Sequence, residues 1–503
     1  MIIAMKSWLK LGVLVLLLGT MGSCKKYLNV PPIDVLSGNN FWETRQDAEA
    51  AVSGAYRLME NKITFSTLYN DGDFRAGNWN WFRKLNFATL AKNDLLSPDL
   101  NYQDNTADPK LNWKSFYEAI AAANLCIARI PDVPDPSFST TEKRQLVGEA
   151  RFIRDFIYFL MVRLYGDVPL QYSPYQISKR PRMDMLQVLD TCIADLDRHK
   201  DDLPSTYVDP TNRAVRATKG AALTLMAHMY AWKAGFAADG QLQYWEKVAD
   251  LCKQVMDLGV YELLPYTDAE TMHEIFKGRS TEGIFELSLD ANYGTQSHTI
   301  ISQWTLHEPY IHSDPNQYGG FASEITPKAA MLDKLYPSGA PDKRFDLWFD
   351  DPYCSQNPQS AMFLKFATIS SAQSRDFDAN YIFFRYAGVV LLRAEALAEL
   401  GNNGEAINLL NLIRKRAGAP DYAGGNGQAL KDAIFLEREK ELMGEGWLWY
   451  DLVRTKRVMD QQWTENYLTP REFEARAWTW PIPSTAIHNN PLVKQTPYWL
   501  SGG

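Results

Sequence analysis

Apolar residues recur at helical spacing along most of the chain. They fall at positions i, i+3 or i+4, and i+7 in segments that lie before residue 262 and again after residue 384. The earlier segments are 47–59, 113–130, 148–166, 185–199, 219–235 and 245–259. The later segments are 385–401, 404–418 and 429–457. This pattern predicts a mainly α-helical protein.

The helical pattern is interrupted in the middle of the chain. Residues 281–294 (TEGIFELSLDANYG) have the pattern of a short strand that leaves a turn. Residues 295–380 are rich in Gly, Pro, Asn, Ser and aromatic residues, and irregular stretches of this length usually either carry function or are disordered. We therefore predict an irregular, loop-rich part with few short strands beside the helices.

Some neighbouring helices form pairs that resemble tetratricopeptide (TPR) units. The segments 219–259 and 385–418 each contain two predicted helices joined by a short turn, with several alanines where the helices would approach. TPR units have a period of about 34 residues. Other segments separate the two pairs, so we expect TPR-like pairs within a larger domain rather than a regular solenoid.

The N-terminus has the pattern of a secretory signal that ends at a cysteine. Lys6 and Lys10 lie before and at the start of an apolar run, residues 11–18, which is shorter than the roughly 20 residues needed to span a bilayer. The small residues of LGTMGSC resemble a bacterial lipobox, which predicts cleavage before Cys24 and lipid attachment to its thiol. An ordinary secretory signal with an incidental cysteine is the alternative.

Charge and metal-binding residue types restrict the function further. The formal net charge is −8 with both signs interspersed, which argues against nucleic acid as a partner. The five cysteines show no C-x-x-C spacing, and His307 and His312 are five residues apart with a proline between them. Neither a disulfide framework nor a zinc site fits this spacing. NDGD (70–73) offers hard oxygen ligands but lacks full calcium-loop spacing, so a structural calcium stays an open alternative. We assign no metal ligand and predict no cofactor.

Acidic residues are candidates for acid–base chemistry. Glu437, Glu441 and Glu445 are predicted to lie on one face of the helix over 429–457, among basic residues. Glycosidases need two carboxyl groups roughly 5 to 9.5 Å apart across a sugar, usually from different elements. We therefore expect a solvated or salt-bridged helix face here rather than a catalytic pair.

Aromatic residues without helical periodicity are the stronger candidates for ligand contact. They are concentrated among Gly, Asn and Asp in residues 71–87 and 290–320. Aromatic rings stack on the C–H faces of sugars while polar neighbours bind the hydroxyl groups. The alternative is that these rings hold long loops against the body of the protein. The candidate ligand-binding residues are Trp79, Trp81, Tyr293, Trp304, Tyr310 and Tyr318.

A series of motifs resembles the SusD/RagB family of outer-membrane lipoproteins of the Bacteroidetes type. In chain order they are CKKYLNVPP, FWETRQDAEAAVSGAY, GEARFIRDFIYFLMVRLYGDVPL, RYAGVVLLRAEALAELG, LNLIRKRAG, EREKELMGEGWLWYDLVR and WPIPSTAIHNNPLVKQTPY. The sequence departs from the family pattern near its end, where Ala486 replaces the usual Glu and QTPYW replaces QNPGY. The resemblance extends from Cys24 nearly to the C-terminus.

The resemblance implies a fold and a domain organisation. The fold would be mainly α, with about four TPR-like helical pairs packed against an irregular loop-rich half. Residues 1–23 would be the cleaved signal peptide. Residues 24–280 would be the N-terminal region with TPR-like pairs, and residues 281–503 the C-terminal region with irregular loops and the last pair.

The resemblance also implies a function. The protein would be a non-catalytic lipoprotein, anchored to the cell outer membrane and facing the cell exterior. It would bind an oligosaccharide or another nutrient and deliver it to a TonB-dependent (SusC-like) transporter. Ligand residues vary within the family, so only Cys24 is transferred by motif.

Two alternatives stay open. A secreted helical glycoside hydrolase would show two carboxyl groups facing each other across an aromatic cleft. A purely protein-binding TPR-like scaffold would use its helical surface alone. The composition of the loops suits plant, host or microbial glycans, and also peptides.

Overall fold

The described part of the protein covers most of the chain. The computed structural model describes residues 41–500 except 66–67, 83–84, 98–111, 176–177, 290–300, 309, 311–321, 372–375 and 378. Cys24, Tyr293 and Tyr318 lie outside the described residues. The predictions made for these three residues therefore remain predictions.

Helices make up most of the described elements. Before residue 260 these are α1 (Arg45–Phe65), α2 (Leu68–Phe74), β1 (Trp79–Trp81), α3 (Leu85–Ala91), α4 (Trp113–Arg129), α5 (Thr140–Tyr165), α6 (Met185–His199), α7 (Lys219–Phe236) and α8 (Gln241–Asp257). The middle of the chain holds α9 (Ala269–Lys277), β2 (Gly283–Leu287), α10 (Ser302–Thr305), β3 (Ile325–Pro327), α11 (Ala329–Leu335), α12 (Lys343–Trp348), β4 (Phe349–Asp350), β5 (Met362–Phe363), β6 (Ile369–Ser371), β7 (Asp376–Phe377) and β8 (Tyr381–Arg385). The remainder holds α13 (Tyr386–Glu399), α14 (Asn403–Arg416), α15 (Gln428–Glu441), α16 (Leu448–Arg454), α17 (Pro470–Glu474), α18 (Ser484–Asn489) and α19 (Pro497–Leu500).

The long helices pack as four consecutive pairs. The pairs are α1 with α4, α5 with α6, α7 with α8, and α13 with α14. Successive pairs contact each other through α4 and α5, α6 and α7, and α8 and α13. This arrangement confirms the predicted mainly α fold with about four TPR-like pairs.

Local sequence explains where these helices begin and how closely they pack. Helix α5 starts with a capping box, in which the Ser139 hydroxyl accepts from the Glu142 N–H and the Glu142 carboxylate accepts from the Ser139 N–H. The helix therefore begins about two turns before residue 148, where the apolar pattern starts, because residues 140–147 are largely polar. In α7 the buried residues Ala221, Ala222 and Ala227 have small side chains, which allow neighbouring elements to pack close to the helix backbone.

The chain leaves the helical array after α8 and returns at α13. In between, the described strands form two-stranded antiparallel sheets, namely β2 with β8, β4 with β5 and β6 with β7, while β3 pairs with β1. The predicted strand within 281–294 is confirmed as β2. Because β2 pairs with β8, and α13 begins at the residue after β8, this ribbon joins the irregular part to the last helical pair.

One apolar core extends through both parts of the protein. Phe156 of α5 contacts Phe285 of β2 and Phe383 of β8, with ring centroids 5.1 and 5.0 Å apart. Cys126, Cys192 and Cys252 are free and buried in the helices, as expected for small apolar residues. The division of the chain at residue 280 stays a prediction.

The prediction of a single helix over 429–457 is wrong. The chain forms α15 and α16 instead, and Gly444 and Gly446 lie between them with φ of 82° and 75°. Left-handed backbone of this kind interrupts a helix and is readily adopted by glycine. Glu445 therefore lies beyond the end of α15, not on the same helix as Glu437 and Glu441. Within the described ranges, no helix is both long and apolar enough to cross a membrane.

Candidate functional site

A groove of about 400 Å³ lies on the irregular part of the protein, between strand β1 and the loop that follows β4. Its size is in the lower part of the range of ligand pockets, about 300 to 1,000 Å³. Phe82 and Tyr353 are 40% and 48% exposed, so two aromatic rings are accessible to solvent at its edges. The lining residues are Asn80, Trp81, Phe82, Pro327, Ala329, Pro352, Tyr353, Cys354 and Pro358.

Strand β1 forms the first wall. It pairs antiparallel with β3, with Trp79 opposite Pro327 and Trp81 opposite Ile325. Alternate residues of a strand share a face, so both tryptophans point the same way, as the sequence suggested for an extended segment. Trp79 packs against Phe363 at 5.5 Å and is buried, whereas Trp81 is half-buried beside Phe74 at 4.6 Å. Trp79 thus supports the strand, and Trp81 reaches the groove.

A loop organised by one carboxylate forms the second wall. Asp351 accepts hydrogen bonds from the Ser355 hydroxyl at 2.5 Å, from the Ser355 and Gln356 N–H groups at 2.8 and 3.2 Å, and from the Ser360 hydroxyl. Burial would raise the pKa of Asp351, but these hydrogen bonds outweigh it and lower the pKa to about 2. Asp351 and Cys354 have φ of 43° and 53°, so the carboxylate holds the loop in an uncommon backbone conformation.

Tyr353 is held at the tip of this loop. Its hydroxyl donates to Asp333 Oδ1 at 2.9 Å, and its ring lies 6.3 Å from that of Phe345. Slight burial and the hydrogen bond to Asp333 raise the pKa of the phenol above its ordinary value. The ring therefore stands fixed at the edge of the groove with about half of its surface in solvent.

The predicted ligand-binding residues occupy different environments. Trp81 lines the groove. Trp79 and Trp304 are 2% and 3% exposed, and burial of this extent favours the alternative in which aromatic rings hold loops to the body. Tyr310 is half-buried against a small cluster of Leu306, Met362 and Ala367. Tyr293 and Tyr318 lie outside the described residues.

Sequence reasoning missed several groove residues. Phe82 belongs to the aromatic segment 71–87 and directly follows Trp81, but it is not among the predicted ligand-binding residues. Tyr353 lies in DDPYCSQNPQS (350–360), whose Pro, Asn and Ser content indicates a turn and could have marked an exposed aromatic residue. Asn80 supplies an amide group at the groove, and its Nδ2 lies 3.4 Å from Thr326 Oγ1.

The acidic residues of the C-terminal half are occupied by buried ion pairs. Glu441 pairs with Arg344, Arg385 and Arg416 at 2.9, 2.7 and 2.5 Å, and these arginines hold its pKa well below the usual range despite burial. Glu437 and Glu445 are also buried and ion-paired. The expectation of a salt-bridged face is confirmed, but these carboxylates lie inside the protein rather than on a solvated face.

The residues weighed as metal ligands do not form a metal site in the described part of the chain. No group of three or more His, Cys, Asp or Glu side chains converges there. The two ring nitrogens of His307 face the carbonyl oxygens of Glu308 and Ser360 at 2.8 and 3.1 Å. His312 lies outside the described residues, and Asp73 of NDGD is buried and accepts from the Gly446 N–H at 2.6 Å.

Two family profiles match separate parts of the chain. The profile described as "Starch-binding associating with outer membrane" matches residues 42–231. The profile described as "SusD family" matches residues 352–499. The first range covers the helical pairs up to α7. The second range includes residues 352–360 of the loop after β4, which we call the groove loop, and the last helical pair.

Relatives match this chain in sequence or in structure over most of their length. SusD-like protein P38 of Formosa agariphila is 27% identical over 96% of this chain and 97% of its own length. The crystal structure of a SusD homologue from Bacteroides thetaiotaomicron superposes with a TM-score of 0.82 and is 32% identical, over 91% of this chain and 99% of that chain. A SusD superfamily protein of the same organism superposes with a TM-score of 0.76 at 25% identity. Because the match extends over nearly the whole of a relative that is more than 30% identical, the chain belongs to the SusD family.

Proposed function

We propose that the protein is a non-catalytic lipoprotein of the outer membrane that captures oligosaccharide and delivers it to a TonB-dependent, SusC-like transporter. The observation that carries this proposal is the groove lined by Trp81, Phe82 and Tyr353 on a chain of the SusD family. The family profile named for starch binding and outer-membrane association supports the same conclusion.

The groove has the chemistry that sugar binding requires. Its rings offer apolar faces for sugar C–H groups, while Asn80 and the Tyr353 hydroxyl offer hydrogen-bonding atoms beside them. Prolines at 327, 352 and 358 stiffen the walls, which reduces the conformational entropy lost when a ligand binds. The lining residues that the structure describes include no carboxylate. Binding without bond cleavage is the function that this set of groups supports.

Titration calorimetry against a panel of defined oligosaccharides tests ligand capture. For a saccharide that binds, Trp81→Ala and Phe82→Ala should each weaken the affinity about ten-fold, because each removes a stacking face. Tyr175→Ala is the matched control, since Tyr175 is 65% exposed and lies outside the groove. Unchanged affinity in both groove variants would contradict the assignment of the site.

Fractionation of cells tests the membrane anchor. Cys24→Ala should move the protein from the outer-membrane fraction to the soluble fraction, because the thiol that would carry the lipid is lost. The strain used should lack the transporter, so that docking cannot retain the variant. Membrane association that persists in this strain would contradict the anchor.

Affinity purification tests delivery to a transporter. A tagged protein extracted from outer membranes in mild detergent should bring with it a TonB-dependent barrel, and the groove variant Trp81→Ala should retain that partner. Loss of glycan binding with retention of the barrel would separate ligand capture from docking. Failure to recover any barrel would contradict the delivery step and leave ligand capture as a separate function.

A further inference from the structure

The described groove carries no charge. None of its lining residues is acidic or basic. The two lysines on the neighbouring β3 and α11 segment are engaged elsewhere, since Lys328 pairs with Glu465 at 2.5 Å and Lys334 pairs with Glu439 at 3.1 Å. A carboxylate or sulfate placed in the groove would therefore leave water without gaining a cationic partner among these residues, which is unfavourable.

The hydroxyl of Tyr353 is arranged to accept hydrogen bonds. Its proton is directed to Asp333 Oδ1 at 2.9 Å, so the atoms it presents to a ligand are oxygen lone pairs. A sugar hydroxyl can donate to such an oxygen, whereas a ligand carboxylate can only accept. A phenol hydroxyl can donate or accept a hydrogen bond, but because the proton of Tyr353 is directed to Asp333, this hydroxyl can only accept a hydrogen bond from a ligand.

Negative charges surround this wall of the groove. Asp333 is exposed and holds Tyr353, and Asp351 organises the loop on which Tyr353 stands. Asp350, also exposed, precedes this loop. An anionic ligand would meet like charges here, and juxtaposed like charges oppose association.

We infer that the groove selects uncharged, hydroxyl-rich saccharides and rejects anionic ones, with Asp333 as the positioning residue that makes Tyr353 an acceptor. This inference rests on the proposed function and specifies the class of ligand at the same site. It adds a basis for selectivity that shape alone does not provide, because a uronate and its neutral counterpart have nearly the same ring.

Calorimetry with matched saccharide pairs tests this inference. The probes are gluco-, manno- and galacto-oligosaccharides and the uronates of the same length and linkage, at fixed salt because charge effects depend on ionic strength. A neutral saccharide that binds should do so at least ten-fold more tightly than its uronate. Equal or tighter binding of the uronate would overturn the inference.

Variants of the pair separate selectivity from folding. In Asp333→Ala the acceptor of the phenol proton is lost and the Tyr353 hydroxyl can donate to a ligand, so the preference for the neutral saccharide should fall at least three-fold. Tyr353→Phe should lower the affinity for the neutral saccharide several-fold. Tyr467→Phe, at an exposed tyrosine outside the groove, should change the affinity for neither the neutral saccharide nor the uronate. An unchanged preference in Asp333→Ala, with an unchanged melting temperature, would overturn the role of Asp333.

Two further outcomes are informative. Arg83 and Lys84 follow Phe82 in the sequence and lie outside the described residues. Uronate binding that disappears in the double variant R83A/K84A would overturn the inference, because it would assign positive charge to the groove. Absence of binding to every saccharide, neutral or acidic, would overturn the proposed function together with the inference, whereas tight uronate binding that depends on Trp81 would overturn the inference alone.

Discussion

Arg385 donates from Nη1 to Glu441 Oε1 at 2.7 Å, which joins the end of strand β8 to the end of helix α15 inside the protein. Both side chains are buried. Glu441 also pairs with Arg344 of α12 and Arg416 of α14, so one carboxylate connects four separate elements. The irregular part is therefore fixed to the last helical pair by charge as well as by apolar packing.

Removal of this carboxylate should be strongly destabilising. In Glu441→Gln three arginines, whose side chains are at most 5% exposed, lose a shared counter-charge, and breaking a buried ion pair costs about 3 to 5 kcal/mol. Urea unfolding measures the loss. Asp257→Asn is the control, because Asp257 and its partner Lys253 are both more than half exposed, and exposed pairs contribute about 0 to 1 kcal/mol. Equal effects of the two substitutions would contradict the structural role of the network.

The backbone of α2 lies very close to the segment that follows α15, and a substitution at Gly72 tests this close approach. A Cβ at this position would lie 1.9 Å from the carbonyl oxygen of Gly446, and backbone cannot move away as a side chain can. Gly72→Ala should therefore destabilise the protein by about 3 kcal/mol or more. Gly54→Ala in α1 is the control, because nothing lies within 4 Å of its Cβ, and it should stabilise by about 0.4 to 1 kcal/mol. A melting temperature that rises in both variants would contradict the approach.

Glu286 should give the protein a distinctive pH dependence. Burial raises its pKa from 4.5 to about 7, although a hydrogen bond from Asn380 opposes the shift. Because the folded protein holds this proton more tightly than the unfolded chain, the contribution of Glu286 to stability falls as the pH rises from about 4.5 through about 7. Glu286→Gln should remove this penalty and stabilise the protein at pH 8 by up to roughly 3 kcal/mol. The gain should shrink toward pH 5.

Thermal unfolding between pH 5 and pH 8 checks this prediction. Glu282→Gln is the matched control on the preceding turn, because Glu282 pairs with Arg385 and Arg416 at 2.8 Å. That substitution should destabilise the protein at every pH in the range, since it removes the counter-charge of two arginines whose side chains are at most 5% exposed. A Glu286→Gln effect that does not vary with pH would contradict the raised pKa of Glu286.

Asp351 should control ligand affinity through the groove loop. Asp351→Asn keeps the shape of the side chain and tolerates positive φ, but an amide cannot accept all the hydrogen bonds that the carboxylate accepts. We expect affinity for a neutral oligosaccharide to fall several-fold while the melting temperature changes by a few degrees at most. Asp346→Asn, at an exposed position of α12, should change neither quantity. A normal affinity in Asp351→Asn would show that the loop holds its shape without the carboxylate.

Much of the helical part was predictable because its helices are amphipathic. The predicted segment 185–199 coincides with α6, which begins after the N-cap Asp184. The segment 148–166 missed the first turns of α5, since residues 140–147 are largely polar and the helix is started there by a capping box. Periodicity reports buried faces, so it does not detect turns that are stabilised by caps alone.

The groove was less predictable because it depends on contacts between residues distant in sequence. The segment NWNW identified Trp81, but only the packing of the folded chain shows that Trp79 is buried against Phe363. Tyr353 belongs to the other wall, and its position is set by Asp351 and Asp333. No local pattern encodes these contacts. The burial of Glu437 and Glu441 in EREKEL was equally hidden, since their partners lie on α12, α14 and β8.

The order of elements along the chain also has a kinetic consequence. Helices α8 and α13 pack side by side, although residues 258–385 separate them. Joining elements across so long a loop must overcome chain entropy before the contact compensates, and such steps slow folding. Until α13 arrives, the face of α8 that it covers stays exposed and can associate with other unfolded chains. We therefore expect completion of the helical array to wait for the C-terminal half, and chains that end before Tyr386 to aggregate rather than to fold.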